Sequence, residues 1–163
     1  MAIQGIEQPA VIQIDESLRL RKFDGIYDFA LVWYQDLDTV WLVDGDRIPY
    51  TPELLTKMYN WLNDAGELYF IEALENGTYR PIGDVTFWQD DMPIVIGDLN
   101  YRGKGLGRKI ISTLVKRGRE LGYARLCVDE IYDWNEGSRR CFESVGFSAC
   151  EKTEKGSKFM LTL

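Results

Sequence analysis

Between Arg102 and Arg108 the sequence runs Arg-Gly-Lys-Gly-Leu-Gly-Arg, with three glycines alternating with larger residues and bases at both ends and inside. Such a run suits the binding of an anion. A helix opening near Lys104 leaves its first N–H groups without partners at the positive end of its dipole, and glycine lets an oxyanion reach them. Arg102, with Arg108 or Lys109, adds charge-assisted contacts, so Gly103, Gly105, Leu106 and Gly107 could hold two linked phosphates. A glycine-rich turn that merely needs positive φ is the competing reading. Two familiar phosphate loops are excluded by spacing. The dinucleotide fingerprint GxGxxG meets Arg108 where its third glycine belongs, and GxxxxGK[ST] does not occur.

The 163 residues contain no histidine, which excludes Ser-His-Asp and Cys-His catalysis and histidine-ligated zinc. Acid–base chemistry therefore falls to carboxylates, Tyr, Cys, Ser, Lys or water. Cys127, Cys141 and Cys150 are odd in number and lack CxxC spacing, so free thiols and no metal site are expected. The net charge of −7 argues against nucleic acid or an anionic membrane as partner. The charge is unevenly spread: Arg102, Lys104, Arg108, Lys109, Lys116, Arg117 and Arg119 form a stretch with no acid, set on a more acidic remainder. At 45% apolar, residues 1–163 are expected to form one domain. No apolar run reaches the ~18 residues of a membrane span, and MAIQGIEQPA lacks a signal-peptide pattern, so a cytoplasmic location is expected.

The elements that must position this loop read as mixed α/β. Residues 1–17 are ambiguous, 17–23 alternate as a strand does, 25–36 read as a helix, and an Asp- and Trp-rich loop follows. TPELLTKMYNWLNDAG is a helix with Thr51 as N-cap, Pro52 in its first turn, apolar residues at 54, 55, 58, 61 and 62, and Gly66 at its close. Strands at 67–74 and 79–88 form a hairpin through Asn76-Gly77, and 92–99 is a further strand. A helix over 104–121 carries Leu106, Ile110, Ile111, Leu114, Val115 and Leu121 on one stripe and stops at Gly122. A buried strand at 124–132, a short helix at 137–145 and two C-terminal strands complete the pattern.

Arg102, Gly105 and Gly107 fill the R-x-x-G-x-G signature between a strand and a long helix, which resembles the acetyl-CoA motif of the GNAT N-acetyltransferases. Asn135-Glu-Gly-Ser138-Arg-Arg-Cys-Phe-Glu143-Ser-Val-Gly146-Phe147 is similar to the family's N-x-x-[AS]-x-x-x-[YF]-E-x-x-G-F segment. The resemblance runs from about Ile94 to Phe147 and looks most like the branch of ribosomal-protein N-terminal and aminoglycoside 6′-N-acetyltransferases. It implies the acyl-CoA N-acyltransferase fold: a mixed, mostly antiparallel, twisted sheet, split between the strand ending near Leu99 and the strand at 124–132, with about four flanking helices. It also implies acetyl-CoA as cosubstrate, held by Arg102 to Arg108, by Asn135 and Ser138, and by open backbone groups at Gly97, Asp98 and Leu99. Relatives are often homodimers.

The chemistry implied is direct transfer of acetyl to a primary amine, either a small cation such as an aminoglycoside or polyamine or a peptide N-terminus. Alignment of the two substrates can supply much of the rate. Ser138, one helical turn past Asn135, is the first choice for proton donor or water binding. Many relatives carry a Tyr seven residues after the Asn, where this chain has Phe142. Tyr101 and Tyr132 are weaker substitutes, and the adjacent Cys141 reads as a semi-buried thiol. Glu130, at a strand end five residues before Asn135, is the first candidate to take the amine proton or anchor a cation, and Asp98 the second. A catalytically inactive acyl-CoA-binding module and a mononucleotide-binding protein are the competing functions.

Overall fold

The computed structural model describes residues 2–163, which form two compact units. One comprises the chain to Thr86 with Ile94–Asn100, and the other Phe87–Pro93 with Tyr101–Leu163.

The first unit is built on a five-stranded sheet in sequential order: β1 (Val11–Gln13), β2 (Leu18–Lys22), β3 (Glu67–Glu75), β4 (Thr78–Phe87) and β5 (Ile94–Ile96). β2 and β3 pair antiparallel, Leu20 opposite Ile71, and β4 pairs antiparallel with β5, Gly83 opposite Ile96. The β3–β4 turn has Asn76 at φ 50° and Gly77 at φ 78°, the paired left-handed conformation of the expected tight hairpin. Helix α2 (Pro52–Ala65) starts where Thr51 accepts from the Leu54 amide and buries Leu55, Tyr59 and Leu62. Tyr59 belongs to the stripe in place of Leu54 and Trp61, both of which face solvent.

Three expectations for this unit are corrected. Residues 25–36 are not one helix but two 3-10 turns, Asp28–Ala30 and Trp33–Gln35. Asp24 accepts from the Ile26 amide, and Ala30 and Tyr34 bond three residues back, so the α-helical ladder never starts. The Asp- and Trp-rich loop contains a helix, α1 (Leu37–Asp44), capped by Asp36 at the amide and hydroxyl of Thr39 and closed by Gly45 at φ 74°. The strand expected over 92–99 is regular only at Ile94–Ile96. Asp98 then accepts from the Asn100 amide and turns the chain into a 3-10 turn, Leu99–Tyr101.

The second unit holds a three-stranded sheet in the order β6 (Arg125–Tyr132), β8 (Gly156–Thr162), β7 (Ser148–Lys152), with both pairings antiparallel. Helices α3 (Leu106–Glu120) and α4 (Glu136–Val145) pack with it. α3 buries Ile110, Ile111, Leu114 and Val115, as its stripe requires, and each such side chain contributes about 1.5–3 kcal/mol. Phe142 and Phe147 meet edge to face at 5.2 Å. The segment after β4 also edges β6: the Cys127 amide donates to Gln89 O, and the Asp129 amide to the Asp91 carboxylate. The strands thus form a five-stranded and a three-stranded sheet. Among the described residues no helix is long and apolar enough to cross a membrane.

Among buried side-chain oxygens and nitrogens of the described residues, the hydroxyl of Thr86 is without a partner. Leaving such a group unsatisfied costs about 1–3 kcal/mol, and Val has the same shape without the hydroxyl. Thr86→Val is therefore expected to raise the thermal midpoint by about 2–4 °C. Calorimetry checks this, and a lower midpoint would show that Thr86 has a role the core does not explain.

Candidate functional site

The loop leading into α3 is shaped by two glycines. Gly103 and Gly105 sit at φ 71° and 77°, where other residues are strained, so the helix starts at Leu106 and not at the expected Lys104. A Cβ on either would meet nothing within 4 Å. No side chain caps α3, and its ladder starts with the Lys109 amide bonding Gly105 O. The amides of Leu106, Gly107 and Arg108 therefore lie ahead of the ladder at the positive end of the helix. Lys104 and Arg108 are exposed on this loop, Arg102 is half-buried, and Lys104 Nζ lies 6.0 Å from the Tyr101 ring centre. Bare backbone, helix end and bases all fit a diphosphate.

Gly107 has a different reason to be glycine. A Cβ there would come within 3.0 Å of Cys141 Sγ, so the missing side chain lets α4 approach α3. Burial pushes the Cys141 thiol up, with a hydrogen bond from the Arg108 amide opposing this. One of the three leading amides is thus already engaged by sulfur, which the sequence did not reveal because Cys141 lies thirty-three residues downstream.

Asn135 caps α4: its side-chain oxygen accepts from the Ser138 amide at 3.2 Å. Ser138 is half-buried in the first turn, and its hydroxyl has no partner among the described residues. Phe142 is 1% exposed, so the place of the usual phenol is occupied by a core ring. Tyr132 stacks on Trp134 at 4.7 Å. Glu130 lies in a β-bulge between Val128 and Ile131 and accepts a short hydrogen bond from the Thr153 hydroxyl, which itself accepts from the Gly156 amide. This ties Glu130 to the β7–β8 hairpin, a partner invisible in the sequence because it comes from a turn twenty-three residues away.

In the first unit, Gly97, Asp98 and Leu99 follow β5. Gly97 is glycine because of Trp33: an added Cβ would fall 2.2 Å from the indole. The Asp98 amide, expected to be open, donates to Ile82 O. Of the three expected backbone contributors, Gly97 and Leu99 remain, the latter exposed at the start of its turn. The Asp98 carboxylate accepts from Arg80, which also binds Glu75. Partial burial would raise its pKa, but the Arg80 and Asn100 hydrogen bonds and the Arg80 charge outweigh this and hold it below the usual range.

With this geometry in hand, the model of the Acetyltransferase (GNAT) family matches residues 31–147. The chain belongs to the GNAT family. Its fold is that of GNAT structures. A domain from Methanocaldococcus jannaschii superposes with a TM-score of 0.78 at 23% identity, covering 91% of this chain and all of that one. The aminoglycoside acetyltransferase AAC(6′)-Ib in complex with coenzyme A gives 0.70 at 19% identity, over 90% of this chain and 95% of that one. The microcin C7 self-immunity acetyltransferase MccE, in complex with acetyl-CoA and AMP, gives 0.68 at 15%, over 96% and 98%. In sequence, an uncharacterized protein of M. jannaschii is 32% identical over 102 residues, which are 59% of this chain but 20% of that protein.

Two glycine substitutions separate packing from ligand approach. Gly97→Ala is expected to destabilise the fold by about 1–3 kcal/mol through overpacking against Trp33. Gly105→Asn keeps a residue that tolerates positive φ but fills the open space before α3. It is expected to weaken coenzyme A binding about tenfold or more with a small change in midpoint. Titration calorimetry and thermal unfolding check both, and unchanged affinity in Gly105→Asn would remove the phosphate from this loop.

Proposed function

We propose that residues 1–163 act as one acetyltransferase domain that passes the acetyl group of acetyl-CoA directly to a primary amine. The observation that carries this is the entrance to α3: leading amides with no side-chain cap, two left-handed glycines facing open space, and exposed Lys104 and Arg108. The diphosphate of acetyl-CoA docks there, with Arg102 adding charge. Asn135 holds the pantetheine arm with whatever capacity its capping bond leaves.

In the transfer itself the amine nitrogen attacks the thioester carbonyl, the C–S bond breaks, the amine loses a proton and the departing thiolate gains one. The Ser138 hydroxyl is the donor or the water holder at the sulfur. Glu130, with one oxygen on Thr153, offers the other to the amine or to a bridging water. Asp98 is the weaker base: paired with Arg80 and held below the usual range, it has little affinity for a proton at neutral pH. The acceptor is a small cationic amine or a peptide N-terminus, consistent with the acidic remainder of the chain and with the acids Asp36, Asp38, Asp44 and Asp46 around α1. AAC(6′)-Ib complexes with paromomycin and ribostamycin illustrate the first kind among structural neighbours.

One observation favours a second reading, in which the protein binds acyl-CoA without turning it over. Phe142 is sealed in the core and can donate no proton. Thermal unfolding with acetyl-CoA, followed by assay of free thiol across aminoglycosides, polyamines and N-terminal peptides, decides between them. At a hundred times Kd the ligand should add about 2.7 kcal/mol to stability. Thiol release with one amine, reduced about tenfold or more in Ser138→Ala, is the expected result. A shift without turnover would favour the binding module, and no shift at millimolar acetyl-CoA would overturn both readings.

A further inference from the structure

The first unit buries a carboxylate that the transfer does not use. Asp84 on β4 is 2% exposed, and its Oδ2 accepts from the Tyr34 hydroxyl at 2.7 Å and the Tyr59 hydroxyl at 2.8 Å. Three elements meet at this atom: the 3-10 turn Trp33–Gln35, helix α2 and the sheet. The titratable groups around it are phenols. Tyr50 stacks on Tyr34 at 4.9 Å and gives its own hydroxyl to Asp44. Among the described residues no base pairs with Asp84. Next to Tyr34 in the chain, Trp33 presses its indole onto Gly97 at the end of β5.

We propose that Asp84 is a protonation-dependent pin, a positioning residue that acts through Tyr34 to set where the Trp33 indole sits against Gly97. With the carboxyl neutral, no charge is buried in the dry core, and Oδ2 still accepts from the two phenols. Once ionised, it is a buried charge without a counter-ion, and the Tyr34 segment shifts to let water reach it. Burial pushes this carboxyl up to about 6, against the opposing hydrogen bonds from Tyr34 and Tyr59. The folded value lies above that of an ordinary aspartate, so the neutral form favours folding at acid pH, and that contribution is lost as pH rises through the folded value. A bearing on acyl transfer rests on the function proposed above, whereas the pin does not, because the Asp84 carboxyl titrates whether or not acetyl-CoA binds.

The test is the NMR resonance of the Trp33 indole N–H in the full chain, assigned with Trp33→Phe and followed from acid to mildly alkaline pH. The expected midpoint is about 6. Asp84→Asn should hold the acid-limit position at every pH. Tyr34→Phe, which removes a donor to the anion, should move the midpoint upward. Asp44→Asn removes the neighbouring carboxyl, itself raised by burial, and should leave the titration in place. A resonance flat with pH in the wild type, or a titration that survives Asp84→Asn, overturns the proposal. Should Asp84→Asn not fold, Tyr34→Phe decides alone, and an unmoved midpoint overturns it.

Discussion

A helix cannot satisfy its own first amides, and the start of α3 leaves them without a side-chain cap. Ser, Thr, Asp or Asn at the N-cap would fill that place with a side-chain oxygen. Gly105 stands there instead, in a left-handed conformation that no capping side chain accompanies. Stability lost by omitting a cap, about 1 kcal/mol, is recoverable only if something else binds those N–H groups. The helix can forgo it because the other end and the flank are well secured. Four apolar side chains are buried, Arg117 and Arg119 sit near the negative end, and Gly107 lets α4 close in. Even there the helix is not left wholly open, since Cys141 takes the Arg108 amide. What remains for the proposed diphosphate is two amides with basic side chains beside them.

The first unit solves a different problem with aromatic rings. Phe23, Tyr27, Phe29, Tyr59 and Phe70 lie within 6 Å of one another in a chain of ring contacts, and Tyr34 and Tyr50 extend it. Rings of this size bury large areas, but tyrosine brings a hydroxyl that must find a partner. Asp84 serves two of them and Asp44 a third. Burial of the carboxylate is therefore the counterpart of using tyrosine as core material around two short 3-10 turns. Arg19 and Arg21 on β2 both reach Glu72 on β3, so Glu72, another buried acid of the sheet, has cations where Asp84 has phenols.

Local signals made most elements legible. Thr51-Pro52 announces α2, Asn76-Gly77 the hairpin, Gly122 the end of α3, and the motif around Asn135 the start of α4. The failures share one cause: short side-chain-to-backbone bonds that compete with periodicity. Asp24, Asp36 and Asp98 each accept a nearby amide and redirect the chain. Asp36 followed by Thr39 and then Gly45 was a readable cap and stop for α1, hidden only by the brevity of the helix. The loop residues 102–107 could be read because their chemistry is local. The environments of Gly97, Glu130 and Cys141 could not, since Trp33, Thr153 and Gly107 lie 64, 23 and 34 positions away.

Absence of histidine and of a phenol at position 142 constrains how a transferase of this kind can work. A thiolate is a good leaving group compared with an alkoxide, so protonation of sulfur can lag behind C–S cleavage, and a weak donor such as Ser138 or a bound water suffices. The larger demand is at the amine, which must lose a proton either before attack or as the bond forms. A carboxylate matched to that step needs an affinity for protons near neutrality. Asp98 is bound by Arg80 in the opposite direction, and Asp84, whose affinity is suitable, is sealed among tyrosines. For the proposed transfer that leaves Glu130, one of whose oxygens is held by the Thr153 hydroxyl at the bulge of β6. In the proposed transfer, holding the two substrates in line supplies much of the acceleration.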